Sequence, residues 1–234
     1  MSKFVIEDSF WNLFPDAKIG VVLLKDFKNL STSPTELQKM LAQSNLKAQE
    51  YLDSAEFSQN DVIRVYREAY QKFKTKKGAR SSIEALMKRS LTDRPVGSIN
   101  PLVDIYNSAS LRFALPCGAE DIDTFKGNLK LGITKGGDEF YLIGEDEPSP
   151  TLLGELCYRD DVGAVCRCFN WRDGKRTMIT ENTKNAFLVI ELLDPNRLSS
   201  LKEALNFIEE NSQKYLQGKT KQFILDKNTP EIDL

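Results

Sequence analysis

The run Arg94-Pro95-Val96-Gly97-Ser98-Ile99-Asn100-Pro101-Leu102-Val103-Asp104-Ile105-Tyr106-Asn107 is the stretch around which the chain is organised. Its first half holds a proline and a glycine and delivers the chain to Asn100, whose side chain can cap a helix with Pro101 in its first turn. Leu102, Ile105, Tyr106, Ala109 and Phe113 then recur with the period of one buried helical face. Asp104 and Asn107 stand three apart, so the helix can carry both on one side. A loop at Pro116-Cys117-Gly118 and a turn before Phe125 follow.

Working outward to the N-terminus, residues 4–6 and 18–24 read as strands joined by an aromatic-rich connection over 8–15. The second is apolar on successive residues, which is the pattern of a strand covered on both faces and central in its sheet. Ser33-Pro34-Thr35-Glu36 matches a capping box, and the helical period runs from there to about residue 55. Ser58 and Asp61 signal a second helix, with apolar positions from Val62 to Phe73. The two are expected to form an antiparallel pair. Lys72, Lys74, Lys76, Lys77 and Arg80 follow with no acid between them. They read either as a solvated helix end that complements the helix dipole or as a phosphate-contacting patch for RNA. A short helix is predicted from Ser81 or Ser82 to Arg89, with Glu84 in its first turn.

On the C-terminal side, 129–133 and 139–143 read as a hairpin around Gly136-Gly137. No Gly-x-Gly-x-x-Gly or terminal Lys-Ser/Thr follows, so this is not a phosphate-binding fingerprint. Residues 155–158 and 163–169 are the next predicted strands, after which Asp173-Gly174 turns the chain back through 177–180. Residues 186–192 form a further apolar strand, Asp194-Pro195 ends it, and a helix starts at Ser199 or Ser200 with Leu201, Leu205, Ile208, Tyr215 and Leu216 inward. Residues 223–225 can add an edge strand. There is no internal repeat.

At 234 residues the chain can bury a full core, and 41% hydrophobic with 28% charged residues is ordinary for a globular protein. The apolar runs are far shorter than a membrane helix needs, and the first residues lack a signal-peptide apolar region, so the expected location is the cytoplasm. Four cysteines, Cys117, Cys157, Cys166 and Cys168, do not make a disulfide scaffold. The net charge of -2 leaves room for a local basic patch. Histidine is absent, which removes His-based triads, His-ligated zinc and histidine general bases together.

Taken alone, Arg94, Asn100, Asp104 and Asn107 are polar groups crowded around a buried helix. Each has a structural reading: Asn100 as a cap, Asp104 as a turn acceptor, Arg94 as the partner of an acid. Cys117 would lack a histidine partner as a nucleophile, although a nearby Arg94 could favour its thiolate. Asn170-Trp171 at a strand end can line a pocket or stack on a terminal adenosine, and a core tryptophan is the rival.

Arg94-Pro95, then Asn100, Val103-Asp104 and Asn107, with Leu111, a proline, a glycine and an Asp-Thr-Phe turn beyond, resembles the B3/B4 domain of the bacterial phenylalanyl-tRNA synthetase beta subunit. The resemblance is densest over about 30 residues and extends, more loosely, over 79–190. It implies a single α+β domain over 1–234, with mixed helices, two largely antiparallel sheets and an N-terminal helical pair packed on them. It also implies hydrolytic editing, the deacylation of a misaminoacylated transfer RNA by a free-standing domain, tyrosyl being the group removed in the phenylalanine enzyme. An aminoacyl ester is already activated, so a pocket can catalyse by placing one water, positioning the ribose and stabilising the oxyanion. Arg94 and Asn100 are the candidates for orienting substrate or meeting developing charge. Asn107 stands behind them, and Asp104 reads as structural. Glu155, and after it Asp160 or Asp161, are carboxylates that could recognise an ammonium group or poise a water. Asn170, Trp171 and Thr180 are candidates for the substrate pocket. No cofactor or metal is implied. The expected partners are transfer RNA through its aminoacylated 3′ end and a synthetase on which the chain could dock, with no DNA and no membrane.

The family pattern carries a histidine shortly before the aromatic residue that is Phe125 here, where this chain has Asp121-Ile122-Asp123-Thr124. That departure motivates the rival reading, a non-catalytic module binding RNA, an amino acid or a small polar metabolite; a protein-interaction role is a third.

Overall fold

The computed structural model describes residues 2–234. Strand β1 (Lys3–Ile6) leads into a short helix α1 (Asp8–Leu13), where the sequence predicts an irregular connection. Phe10 and Trp11 are fully buried, and a helical turn sends both rings inward together. Strand β2 (Lys18–Lys25) follows, then helix α2 (Thr35–Ala48). The capping box does not form, because the Ser33 hydroxyl donates to the buried Asp104 carboxylate instead. Helix α3 (Asp61–Ala69) starts after Asn60, whose side chain does not cap it but accepts from the Ser54 N–H and donates to the Phe57 carbonyl, and it ends short of Phe73. The basic run is therefore not a helix end: Lys72 to Arg80 is irregular chain, and the Lys74 N–H donates to the Gly154 carbonyl at 3.0 Å.

Helix α4 (Ser82–Ser90) precedes helix α5 (Pro101–Phe113), which forms as the sequence predicts. The Asn100 side-chain oxygen accepts from the Val103 N–H at 3.0 Å and from the Asn29 amide at 3.2 Å. Strand β3 (Cys117–Asp121) occupies what reads as a loop. Its residues Cys-Gly-Ala-Glu-Asp have little intrinsic strand preference, and pairing with a neighbouring strand makes it one.

Strand β4 (Leu129–Ile133) does not pair with 139–143 but with strand β5 (Leu156–Arg159), so the predicted hairpin is replaced by a long excursion between them. Asp138 closes this excursion by accepting from the hydroxyls of Thr134 and Thr151. Strand β6 (Ala164–Arg167) and the two-residue strand β7 (Arg172–Asp173) follow. The residues 177–180 are not a strand, because β7 already takes the edge beside β6. Strand β8 (Ala186–Leu192), helix α6 (Leu198–Leu216) and strand β9 (Lys219–Leu225) agree with expectation in kind, and a strand β10 (Glu231–Asp233) is added.

The fold is α+β with two largely antiparallel sheets. The six-stranded sheet has the order β10-β1-β4-β5-β6-β7, the β1–β4 pair being parallel, and the four-stranded sheet has the order β3-β8-β2-β9. They face each other across one core, in which Phe4, Leu131 and Tyr158 meet Val21, Phe187 and Val189. On the other side of the four-stranded sheet, Val22, Leu188 and Ile190 pack against Ile105 of α5 and Leu201 and Leu205 of α6. Gly20 permits that close approach, since a Cβ there would stand 2.7 Å from Leu201 Cδ1. Helices α2 and α3 share a further cluster with α4 and α5, and α2 lies chiefly along α5 rather than along α3. Among the described residues no helix is long and apolar enough to cross a membrane.

Asp104 is fully buried and also accepts from the Ser98 hydroxyl and the Ile99 N–H. Together with Asn100 it locks the lead-in of α5 to the chain ahead of α2. Asn100→Ala is expected to destabilise the protein by about 1–2 kcal/mol, read from the urea midpoint, through loss of the cap and of the Asn29 link. An unchanged midpoint would remove the structural role assigned to Asn100.

Candidate functional site

Side-chain alternation on β3 and β8 points Gly118, Glu120, Phe187, Val189 and Glu191 across the gap between the sheets. Tyr158, Cys166 and Asp173 meet them from β5, β6 and β7. Between them lies a chamber of about 60 Å³. That is room for roughly four water-sized groups. A Cβ at Gly118 would meet nothing within 4 Å, so the absence of a side chain there leaves the chamber open.

The chamber gives onto an open groove of about 520 Å³, and Ser82, Cys117, Trp171 and Asp173 line both. Arg80, Lys88, Arg89 and Arg172 stand along the groove. An acidic interior thus lies behind a basic mouth.

Glu191 is 1% exposed and accepts from the Tyr158 hydroxyl at 2.7 Å and from the Asn170 amide at 3.2 Å. Burial pushes its carboxyl up from the ordinary 4.5 to about 7, against the pull of those two donors. Glu120 is raised well above the ordinary range by burial and then by the Asp173 charge, and its Oε2 is buried without a hydrogen-bond partner. Burial likewise raises Asp173. The Cys117 thiol is pushed up by burial and by the charges of Glu191 and Asp173, so it is a wall of the chamber and not a thiolate nucleophile.

The structure brings Asn170 and Trp171 to the chamber and Asn107, Trp171 and Arg80 to the groove. Others of the expected site lie elsewhere. Arg94 is exposed and lines neither space; its carbonyl accepts from Arg89 Nε at 3.3 Å. Asn100 is consumed by the α5 cap. Thr180 lies in the loop before β8, where its carbonyl accepts from the Asn29 amide at 2.9 Å. Glu155 is fully buried and both its oxygens are taken: Oε1 by Arg167 Nε and the Cys168 N–H, Oε2 by the second Arg167 nitrogen and the Leu152 N–H. A carboxylate so occupied has no lone pair for a substrate or a water, so Glu155 is a structural residue. Asp160 is similarly committed to Arg176, and Asp161 is exposed.

The basic run is also dispersed. Lys72 lies over the Phe14 ring, Lys76 donates to Ser149, Lys74 and Lys77 are exposed, and Arg80 alone reaches the groove. The acids that do face the chamber, Glu120, Asp173 and Glu191, were not singled out by the sequence. Glu191 did leave a signal, a lone carboxylate in the otherwise apolar strand Ala186–Leu192.

A family model described as the B3/4 domain matches residues 65–226. The phenylalanine--tRNA ligase beta subunit of Idiomarina loihiensis is 26% identical over 132 residues, which is 56% of this chain and 16% of that protein. The corresponding subunit of Fusobacterium nucleatum is 26% identical over 121 residues, 51% of this chain and 15% of that protein. The chain thus spans about a sixth of the length of these relatives. Among solved structures, an N-terminal fragment of the phenylalanyl-tRNA synthetase beta-subunit from Pyrococcus horikoshii aligns with a TM-score of 0.48 and 14% identity, over 98% of this chain and 52% of that one.

A buried acid whose folded-state pKa exceeds its unfolded value binds a proton more readily in the native state, so its contribution falls as pH rises between the two values. For Glu191 that window runs from 4.5 to about 7. Relative to the parent, Glu191→Gln is expected to lose less stability across this window, by on the order of 1–3 kcal/mol in urea unfolding at the two ends. Parallel pH profiles for the two proteins would contradict the assignment.

Proposed function

The chain belongs to the B3/4 domain family, and on that premise we propose that it hydrolyses the ester of a misaminoacylated transfer RNA as a free-standing domain. The observation that carries this reading is the acidic chamber behind a basic groove. The 3′ end of an aminoacylated RNA has the matching polarity, with phosphodiesters on the approach and an ammonium-bearing acyl group at the tip. Arg80, Lys88, Arg89 and Arg172 suit the backbone phosphates, and the Trp171 face suits a base.

Asp173 lines both the groove and the chamber, which is where an ester entering from the groove would lie. Burial raises its pKa and makes it a stronger base than a solvated aspartate. In the proposed step it takes a proton from water as the oxygen adds to the ester carbonyl, and the proton passes to the ribose oxygen as that bond breaks. The products are the free amino acid and the RNA hydroxyl. Asn107 and Asn170 supply neutral donors along the same path. A cytoplasmic location and docking on a synthetase belong to the same reading.

The second reading, binding without turnover, draws on one residue. Asp123, in the turn where the family pattern has a histidine, is exposed and bound by the Asn185 amide at 2.8 Å.

Incubation with a panel of correctly and incorrectly charged transfer RNAs tests the proposal; selective release of one mispaired amino acid is the expected result. Gly118→Val fills open space and should leave the melting temperature close to that of the parent while lowering deacylation about 100-fold or more by displacing the acyl group. No turnover by the parent across the panel, with RNA still bound, would favour the second reading.

Arg80→Ala combined with Arg89→Ala should weaken RNA binding and reduce the slope of log affinity against log salt by about one to two units. An unchanged slope would remove the groove as the phosphate contact.

A further inference from the structure

Glu120 is 5% exposed, points from β3 toward the six-stranded sheet, and holds its Oε2 buried beside the chamber without a donor. Its surroundings supply acids, thiols and the fully buried Thr177 hydroxyl, whose oxygen likewise lacks a hydrogen-bond partner and whose proximity only partly offsets the burial of Glu120. Asp173 and Cys166 lie opposite, and Glu191 at the same chamber already has its donors in Tyr158 and Asn170. Among the described residues no lysine or arginine pairs with Glu120, Asp173 or Glu191. The Arg176 charge reaches Glu120, but its guanidinium is clamped on Asp160 by two hydrogen bonds of 2.8 Å. Nor do three or more Cys, Asp or Glu side chains converge closely enough, among the described residues, to hold a metal ion.

A buried carboxylate oxygen without a donor is costly, and a ligand that supplies both a donor and positive charge relieves it. Of the groups that fit a space of about 60 Å³, a primary ammonium fits best. It is compact, and its three N–H donors can reach Glu120 and a neighbouring acceptor at once, whereas a planar guanidinium needs a wider slot.

We propose that Glu120 Oε2 is the docking point for a primary ammonium group, and specifically for the α-ammonium of the acyl moiety. This rests on the reading of the chamber as the acyl site. It adds that recognition of the acyl group begins at the part common to all amino acids, leaving side-chain choice to the opposite wall. In this arrangement Glu120 binds and orients, while Asp173 at the mouth handles the proton.

The test is calorimetric binding of 3′-amide-linked alanyl- and tyrosyl-adenosine, each compared with its counterpart carrying an α-hydroxyl in place of the α-amino group. The parent is expected to bind the amino form of at least one pair about tenfold or more tightly than the hydroxyl form. Glu120→Gln should abolish that preference while keeping the affinity for the hydroxyl form, which also reports that the chamber remains folded. Equal affinity of the parent for both forms, or a preference that survives Glu120→Gln, would overturn the ammonium assignment and leave the deacylation reading standing. Failure of the parent to bind any of the four probes would overturn the assignment together with the reading of the chamber as the acyl site.

Discussion

Glu155 and Arg167 form an ion pair withdrawn from water, with exposures of 0% and 1%, and much of the site depends on it. The two side chains meet through parallel bonds of 2.9 and 2.6 Å, and their remaining capacity is met by Leu152, Cys168 and Ser149. Such a pair adds little net stability over a well-packed apolar one, but losing either partner strands the other charge. Burial alone would push Glu155 up; the Arg167 guanidinium and the N–H donors outweigh it and hold the carboxyl below its ordinary range. The pair therefore stays ionised and dictates geometry. It joins the start of β5, the end of β6 and the tail of the excursion between β4 and β5. It also holds Cys168, which with Phe169 adopts left-handed φ values of 47° and 67°. Neither residue favours that region, at about 1–3 kcal/mol each. Their turn is what carries Asn170 and Trp171 to the chamber.

The chamber itself arises from an omission on the facing sheet. β3 is short and poor in apolar residues, and where its alternation would bring a side chain into the sandwich core it brings Gly118 and then Glu120. Elsewhere the sheets interlock through rings, as where Phe4 and Phe187 meet with centroids 4.8 Å apart. Replacing that packing by carboxyl groups costs stability, and burial raises all three acids, with Glu191 pushed up to about 7.

The helices were the most legible part of the fold. The Asn100-Pro101 start and the Leu102, Ile105 and Ala109 period needed only local rules, and the helix formed from Pro101 to Phe113. The family was legible from the same stretch, although residues 65–226 match its model where the visible likeness covers 79–190. Strand pairing was less legible, since β3 owes its form to β8 and β4 finds its partner beyond the excursion. The site was least legible of all. Arg94 and Asn100 stand in the stretch that carries the family likeness, and Glu155 stands between a glycine and a core strand, yet Asn100 and Glu155 are fastenings of the fold. Glu120, Asp173 and Glu191 sit on three separate strands, and no spacing rule within one segment can show that those strands converge.

Asp173 belongs to β7, a strand of two residues at the outer edge of its sheet. Its ladder consists of the Cys166–Asp173 and Arg167–Arg172 pairs; just beyond it the Gly174 N–H bonds Val165 at 2.8 Å, and a bridge between Gly174 and Leu142 with the Lys175 N–H on the Tyr141 carbonyl at 2.8 Å ties that end to the excursion. So short an edge can fray at a fraction of the free energy needed to unfold the domain, since few contacts are lost with it. The passage between groove and chamber is therefore bounded on one side by a two-residue edge strand. Fraying of that edge would widen the passage while the four-stranded sheet behind it keeps its register, and the speed of that local opening would then set an upper limit on how fast anything enters or leaves.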